Sequence, residues 1–128
     1  MKEIKDFLES YTQLLPSDKG ISPFEAERRA AQFLVACAHI ANWRHLYGQE
    51  KIRTTSLERA VYSNVLSVLG GSKITESKIK VEAAPEYLLS REALETSEND
   101  LNFLKTYYEI FLNAHIQYRN MAKSEGGS

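Results

Sequence analysis

The side chains of this chain with the most chemical potential are three histidines and a single cysteine. His39 and His45 lie six residues apart, on nearly opposite faces of a helix, and His115 stands far along the sequence. No glutamate precedes any of the three histidines by three positions, so the Glu-x-x-His step of helical di-iron sites is absent. A lone Cys37 excludes an internal disulfide and a cysteine-based zinc site. We therefore expect no metal and no cofactor.

Patterns for covalent or phosphate chemistry are also missing. Neither the serines nor Cys37 has a recognisable paired base, which a nucleophile needs for activation. Gly70-Gly71 lacks the further glycines and the Lys-Ser/Thr pair of a phosphate-binding loop. We expect a protein that is not an enzyme.

An aromatic and basic stretch is the best candidate for binding single-stranded nucleic acid, which requires rings beside a cationic track. It reads Trp43-Arg44-His45-Leu46-Tyr47. Alternatively, Trp43 and Tyr47, four residues apart, pack against the first helix. Three lysines near Gly70-Gly71 form a second candidate for phosphate contact. The predicted nucleic-acid-binding residues are Arg44, Lys51, Arg53, Arg59, Lys73, Lys78 and Lys80.

The charge is distributed unevenly along the chain. The net charge is -1, yet residues 23–80 hold nine basic and five acidic residues, whereas residues 81–128 hold four and eight. The middle of the chain could therefore meet an anion or an acidic partner. With 43% hydrophobic and 26% charged residues, the composition is that of a soluble folded protein. No apolar run is long enough for a membrane span and no signal peptide opens the chain, so we expect a cytoplasmic protein.

Two helices are predicted in the first half. Apolar residues at helical spacing from Ile4 to Leu15 indicate a short first helix that ends at Pro16. The second helix begins with a capping box in which Ser22 is the N-cap, Pro23 follows it and Glu25 is the third residue. Beyond Gly48 either a new helix starts at Thr55-Ser56-Leu57-Glu58 or the second helix continues. We favour continuity, with residues 48–54 as the weak point.

The second half predicts a turn and a long helix. Gly70-Gly71-Ser72 should end the second helix. Residues 75–83 have mixed signals and favour a short helix or a turn. Pro85 suits the first position of the last helix. We expect one domain over residues 1–122 and a disordered tail over residues 123–128.

The last helix carries a seven-residue apolar repeat in 37 residues, 86–122, without glycine or proline. Two rows three positions apart form the seam of a helix packed lengthwise on another. The rows are Tyr87, Leu94, Leu101, Tyr108, His115 and Ala122, and Ser90, Ser97, Leu104, Phe111 and Tyr118. Such a helix would be about 55 Å long. The prediction is an all-α, elongated antiparallel helical hairpin with a short N-terminal helix docked on it.

A second apolar stripe makes the last helix apolar on most sides between Leu101 and Tyr118. The stripe comprises Phe103, Tyr107, Ile110 and Ala114. Because a two-helix hairpin cannot cover so much apolar surface, we expect a homo-oligomer built on this helix. The predicted interface residues are Leu101, Phe103, Leu104, Tyr107, Tyr108, Ile110, Phe111 and Tyr118.

Several motifs from residue 55 to residue 122 resemble the UvsY family, the recombination mediators of T4-type phages. A long helix runs into Leu69-Gly70-Gly71, a basic and acidic linker follows at residues 73–78, and the last helix opens with Pro85-Glu86-Tyr87-Leu88 and contains Lys105-Thr106-Tyr107-Tyr108. The resemblance implies a non-enzymatic, ring-like homo-oligomer. Such a protein binds single-stranded DNA and helps to load a RecA-type recombinase in place of the single-strand-binding protein.

One departure from the family bears on DNA binding. The family places Lys and Arg on the helix just before the glycine turn, whereas residues 62–69 here carry no positive charge. A DNA contact would have to use Arg53, Arg59 or the lysines after the turn. The leading hypothesis is a phage-type DNA-recombination accessory protein that binds DNA through many weak sites. The alternative is a protein–protein interaction module or phage assembly adaptor that binds no DNA.

Overall fold

The computed structural model describes residues 1–17, 19–69 and 74–126, with the backbone alone at 74, 75 and 124–126, and these ranges form four helices without a strand. The helices are α1 (Lys2–Thr12), α2 (Pro23–Leu69), α3 (Ile74–Ala83) and α4 (Pro85–Gly126). The all-α prediction is confirmed, and the long helices pack against each other. None of the described helices combines the length and the apolar character needed to cross a bilayer.

The start of α2 follows the predicted cap. The Glu25 backbone N–H donates to Ser22 Oγ over 3.1 Å, which satisfies one of the free donors of the first turn. The Glu25 carboxylate contacts Arg28 at 3.4 Å and Arg29 at 3.2 Å. The N-cap half of the capping box is therefore confirmed, while the glutamate side chain pairs with the following turn.

Continuity through Gly48 is also confirmed, because α2 is one helix from Pro23 to Leu69. The predicted turn at Gly70-Gly71-Ser72 lies outside the described residues. Residues 74–83 form a short helix, as favoured, and Pro85 opens α4. The tail prediction stays a prediction: α4 is described to Gly126, and residues 127–128 lie outside the described part.

The chain divides into two compact units, and the single-domain prediction is not tested by this division. Unit 1 comprises Met1–Arg44 and Phe103–Ser128, and unit 2 comprises His45–Asn102. Unit 1 thus contains α1, the first part of α2 and the second part of α4. Unit 2 contains the remaining part of α2, α3 and the first part of α4.

Unit 1 is built on a cluster of aromatic rings from all three of its helices. Phe33 of α2 contacts Phe111 of α4 edge-on, with ring centroids 5.2 Å apart, and stacks on Tyr118 at 5.9 Å. Tyr11 of α1 lies 5.6 Å from Phe33 and 5.8 Å from Phe111. The buried core residues around these rings are Leu8, Ala26, Ala30, Ala36, Cys37, Ile40, Leu104 and Ala114. Aromatic rings therefore fix α1 against the two long helices.

Two polar side chains of α4 anchor it to backbone groups of unit 1. The Tyr118 hydroxyl donates to the Leu14 carbonyl and accepts from Arg29 Nη1 over 3.1 Å. His115 Nδ1 lies 2.7 Å from the Ala30 carbonyl. Because a carbonyl only accepts, Nδ1 carries the proton. These bonds have fixed donors and acceptors, so they specify the alignment of α4 on α2.

Unit 2 has a more polar core, with buried hydroxyl groups between its helices. The Thr54 and Ser97 hydroxyls lie 3.2 Å apart between α2 and α4, and the Ser90 hydroxyl donates to the Tyr87 carbonyl over 2.7 Å. Val81 of α3 and Leu94 of α4 are buried aliphatic residues of the same unit. Small hydroxyl side chains let two helices approach closely, although they contribute less apolar burial than the rings of unit 1.

Gly48 gives a direct test of the continuous helix. A Cβ atom added to Gly48 would meet nothing within 4 Å. Since glycine in a helix interior costs about 1 kcal/mol relative to alanine, Gly48→Ala should raise the free energy of unfolding by about 0.5–1 kcal/mol. Chemical denaturation would measure it, with Gly20→Ala outside the helices as the control. A decrease for Gly48→Ala would mean that the helix is broken at this position in solution.

Candidate interaction surfaces

Arg44, the first predicted nucleic-acid contact, packs on a ring of its own chain. Its guanidinium carbon lies 5.1 Å from the centroid of Tyr108, and the residue is half-buried. This is a cation–π contact between α2 and α4. Tyr108, predicted for the oligomer interface, is half-buried beneath it. Arg44 therefore stabilises unit 1, and a phosphate would have to compete with the ring for it.

Arg53 is likewise engaged. Its Nη2 and Nε atoms bind the two Glu50 carboxylate oxygens at 2.6 and 3.0 Å. Hydrogen bonds from Arg53 lower the pKa of Glu50, so this carboxylate stays charged. Lys51 is half-buried and Arg59 is exposed. At about 100° per residue, Lys51, Arg53 and Arg59 point in three directions around α2, so they do not form one cationic track.

The lysine cluster after the turn is only partly described. Lys73 lies outside the described residues, and Lys78 and Lys80 are exposed on α3. Two residues apart on a helix, they point about 200° away from each other. Only one of them can face a given strand of nucleic acid in this conformation.

The aromatic part of the stretch is divided between the two units. In unit 1, Trp43 contacts Phe7 of α1 edge-on at 5.3 Å and stacks with His39 at 5.8 Å. For Trp43 this confirms the packing alternative raised from the sequence; for Tyr47 that alternative stays a prediction. In unit 2, Tyr47 lines a cleft between α2 and α4. Trp43 therefore packs on rings of unit 1, whereas Tyr47 lines a cleft of unit 2.

The cleft beside Tyr47 is acidic. It has a volume of about 470 Å³ and is lined by Glu50, Glu92 and Asp100, together with the hydroxyls of Thr54, Thr96 and Ser97. Burial and the Asp100 charge raise the pKa of Tyr47, which favours its neutral phenol. Because Glu50 is paired with Arg53, Glu92 and Asp100 supply the charge that repels a phosphate group from this cleft. The cleft lies on the segment of α2 that carries Lys51 and Arg53.

Half of the predicted oligomer interface belongs to the core of the single chain. Leu101, Leu104, Phe111 and Tyr118 are buried by the other helices of their own units. Phe103 and Tyr107 are half-buried and in contact with each other at 4.8 Å, and Ile110 is partly exposed. Lys5 covers the Phe103 ring at 5.5 Å. The four buried residues are therefore not exposed to a second copy of the chain.

A large exposed apolar face of unit 1 lies instead on α2, and the sequence reasoning missed it. Phe24 is 76% exposed, Leu34 52% and Val35 53%. We call the outer face of α2 the exposed set Phe24, Ala31, Leu34, Val35, Ala38 and Ala41. The exposed polar residues Glu27 and Asn42 lie on the same side of the helix. The spacing of these residues by three, four and seven could have revealed a second stripe, because the core residues of α2 form a stripe of their own.

Unit 2 contains an apolar groove at the end of α2. Its volume is about 670 Å³. Its walls are Val61, Val65, Val68 and Leu69 of α2 and Ala83, Ala84 and Pro85 at the junction of α3 and α4, and its polar lining residues are Asn64, Lys80 and Glu86. Val68 is 80% exposed.

Two observations bear on metal binding and on thiol chemistry in the described part of the chain. Among the residues that the structure describes, no three His, Cys, Asp or Glu side chains converge to hold a metal. Cys37 is buried, and its burial raises the pKa of the thiol, which disfavours the reactive thiolate.

Comparisons with models of protein families, with curated proteins and with solved structures find no match.

The Tyr47 cleft yields a test of its electrostatics. Replacing Asp100 by Asn removes one of the two causes of the raised pKa, so the pKa of Tyr47 should fall toward its ordinary value. Ring NMR shifts titrated with pH would measure this change. Tyr87 serves as the internal control, because its pKa is raised first by a hydrogen bond to Glu58.

The same variant should change stability at alkaline pH. The pKa of Tyr47 is raised in the folded state. Its contribution is therefore complete below about pH 10, where the unfolded tyrosine starts to ionise, and is lost as pH rises through the folded value. Asp100→Asn should reduce the amount of unfolding free energy that is lost at alkaline pH. An unchanged Tyr47 titration in the variant would contradict the cleft geometry.

Proposed function

We propose that this protein is a non-enzymatic helical interaction protein whose copies assemble through exposed apolar side chains. The observation that carries the proposal is the outer face of α2, where Phe24, Leu34 and Val35 are each more than half exposed. The fold does not use these side chains, because the opposite side of α2 supplies the core through residues such as Phe33, Cys37 and Ile40.

The energetics favour association of this face. Each buried square ångström of apolar surface contributes roughly 25 cal/mol, and contiguous exposed apolar faces commonly mark interfaces. The small side chains of Ala31, Ala38 and Ala41 allow a second helix to come close. Leu34 and Val35 provide the larger apolar contacts beside them.

Several polar and charged side chains make contacts within their own chain, which supports a binding role. His115 holds a backbone carbonyl, His39 stacks on Trp43, and Arg53 is tied to Glu50. Because these side chains take part in packing, the exposed apolar surface is the better candidate for function. We therefore favour the adaptor hypothesis over the DNA-recombination hypothesis.

A second candidate function is the DNA-recombination accessory role, in which the assembly binds single-stranded DNA and assists a RecA-type recombinase. The exposure of Arg59 and Lys78 in unit 2 supports it, as does the resemblance of residues 55–122 to the UvsY family. The acidic cleft and the engaged Arg44 and Arg53 weigh against it. We therefore rank it below protein assembly.

The two candidates predict different effects for two variants. Replacing Leu34 and Val35 by lysine should reduce self-association in a sedimentation velocity series over protein concentration, while leaving the helical content intact. The free energy of unfolding should change little, because exposed positions usually contribute less than about 0.5 kcal/mol each. Asn99→Lys with Gln117→Lys is the matched control, since both residues are exposed and the added charge is equal.

The DNA arm uses Arg59→Glu with Lys78→Glu and labelled single-stranded DNA, read by fluorescence anisotropy at several salt concentrations. If DNA is the ligand, each lost phosphate contact should lower the salt slope by about 0.7. Lys2→Glu with Lys105→Glu is the control of equal charge. A wild-type chain that stays monomeric throughout would refute the assembly proposal, and salt-dependent DNA binding by a self-associating chain would support the second candidate.

A further inference from the structure

We propose that the outer face of α2 at its N-terminal end docks into the apolar groove of a second copy of this chain, with Phe24 as the inserted side chain. The inference rests on the proposed assembly function and specifies its contact. The two surfaces are unlike: a convex helix face in unit 1, and a concave groove in unit 2 formed by the end of α2 and the α3–α4 junction.

Size and polarity match between the two surfaces. Phe24 is a large aromatic side chain that its own chain leaves 76% exposed. The groove volume of about 670 Å³ exceeds the roughly 150 Å³ that suffices to hold a benzene molecule. There is therefore room for the phenyl ring together with Ala31, which follows Phe24 by two helical turns on the same stripe. This is a helix-in-groove contact, in which spaced apolar anchors enter a hydrophobic depression.

Charge complementarity supports a second copy of the chain as the occupant. Beside Phe24, the docking helix carries Glu27 and Arg28, one residue of each sign, and both are exposed. The groove carries Lys80 and Glu86, again one of each sign. We assign Glu27 to Lys80 and Arg28 to Glu86 of the second copy.

Arg28 is available for this exchange. Within its own chain it contacts Glu25 at 3.4 Å, with 62% of its side chain exposed. An exposed pair of this kind contributes little to stability. Glu25 also keeps its contact with Arg29 at 3.2 Å. The cap of α2 uses the Glu25 backbone N–H, so it does not depend on Arg28 and remains when Arg28 turns to another partner.

A contact between unlike surfaces extends from copy to copy, because each chain offers both. This property allows a test by complementation. Phe24→Glu removes the inserted ring and keeps the groove, whereas Val68→Lys blocks the groove and keeps the ring. Both positions are exposed, so both variants should fold, which circular dichroism and denaturation would verify.

Each variant alone should associate more than about thirtyfold more weakly than the wild type, the size expected for a central anchor residue. A 1:1 mixture should form a heterodimer of twice the 14.6 kDa chain mass and no larger species, because one intact helix face meets one intact groove. Sedimentation velocity and light scattering would measure both outcomes.

A charge exchange tests the pairing independently. Lys80→Glu should weaken assembly by about tenfold or more, and adding Glu27→Lys should restore it. A monomeric mixture of the complementary variants, or wild-type assembly by Val68→Lys, would overturn the groove contact while leaving assembly itself in place. A wild-type chain without self-association would instead overturn the proposed function.

Discussion

The packing of α4 on α2 through rings and hydroxyls is the constraint on which the rest of the structure depends. In unit 1 the rings of Phe33, Phe111 and Tyr118 meet between the two helices, and Tyr11 of α1 completes the cluster. The buried hydroxyl of Tyr118 must find partners, since an unsatisfied polar group in a core costs about 1–3 kcal/mol. It finds them in the Leu14 carbonyl and the Arg29 guanidinium. The segment after α1 and the first turns of α2 are therefore held by the same side chain.

This packing also determines which surfaces remain for other molecules. A helix of 47 residues with apolar side chains on more than one side cannot bury all of them against one partner helix. In unit 1, α1 and α4 cover the side with Phe33 and Ile40, and the side with Leu34 and Val35 stays exposed. The proposed assembly function follows from that division, and the groove in unit 2 offers the exposed face of another copy a place to dock.

The helices were predictable from the sequence because their boundaries depend on local chemistry. Ser22, Pro23 and Pro85 mark helix starts through capping and through the fixed proline backbone angle, and the seven-residue spacing across Gly48 indicated one helix. What covers each helix face was not predictable. The repeat in α4 shows that Phe111 and Tyr118 must be buried, but periodicity is the same whether the covering helix belongs to the same chain or to another copy.

The candidate sites were harder to predict for the same reason. Sequence spacing locates charges but not their partners, so Arg44 and Arg53 looked free although Tyr108 and Glu50 engage them. Trp43 could stack on a base or on a neighbouring helix, and only the three-dimensional arrangement places Phe7 beside it. The seam in α4 is a stronger apolar pattern than the outer face of α2, so the sequence alone favours an interface on α4.

The most direct test of this account is the free energy of unfolding of Phe111→Ala, measured at widely separated protein concentrations. The contacts of Phe111 with Tyr11, Phe33 and Tyr107 lie within one chain. The variant should therefore lose about 3–5 kcal/mol, and the loss should not depend on protein concentration. A loss that grows with concentration would show that Phe111 stabilises a contact between copies. That result would contradict the internal seam and return the assembly interface to α4.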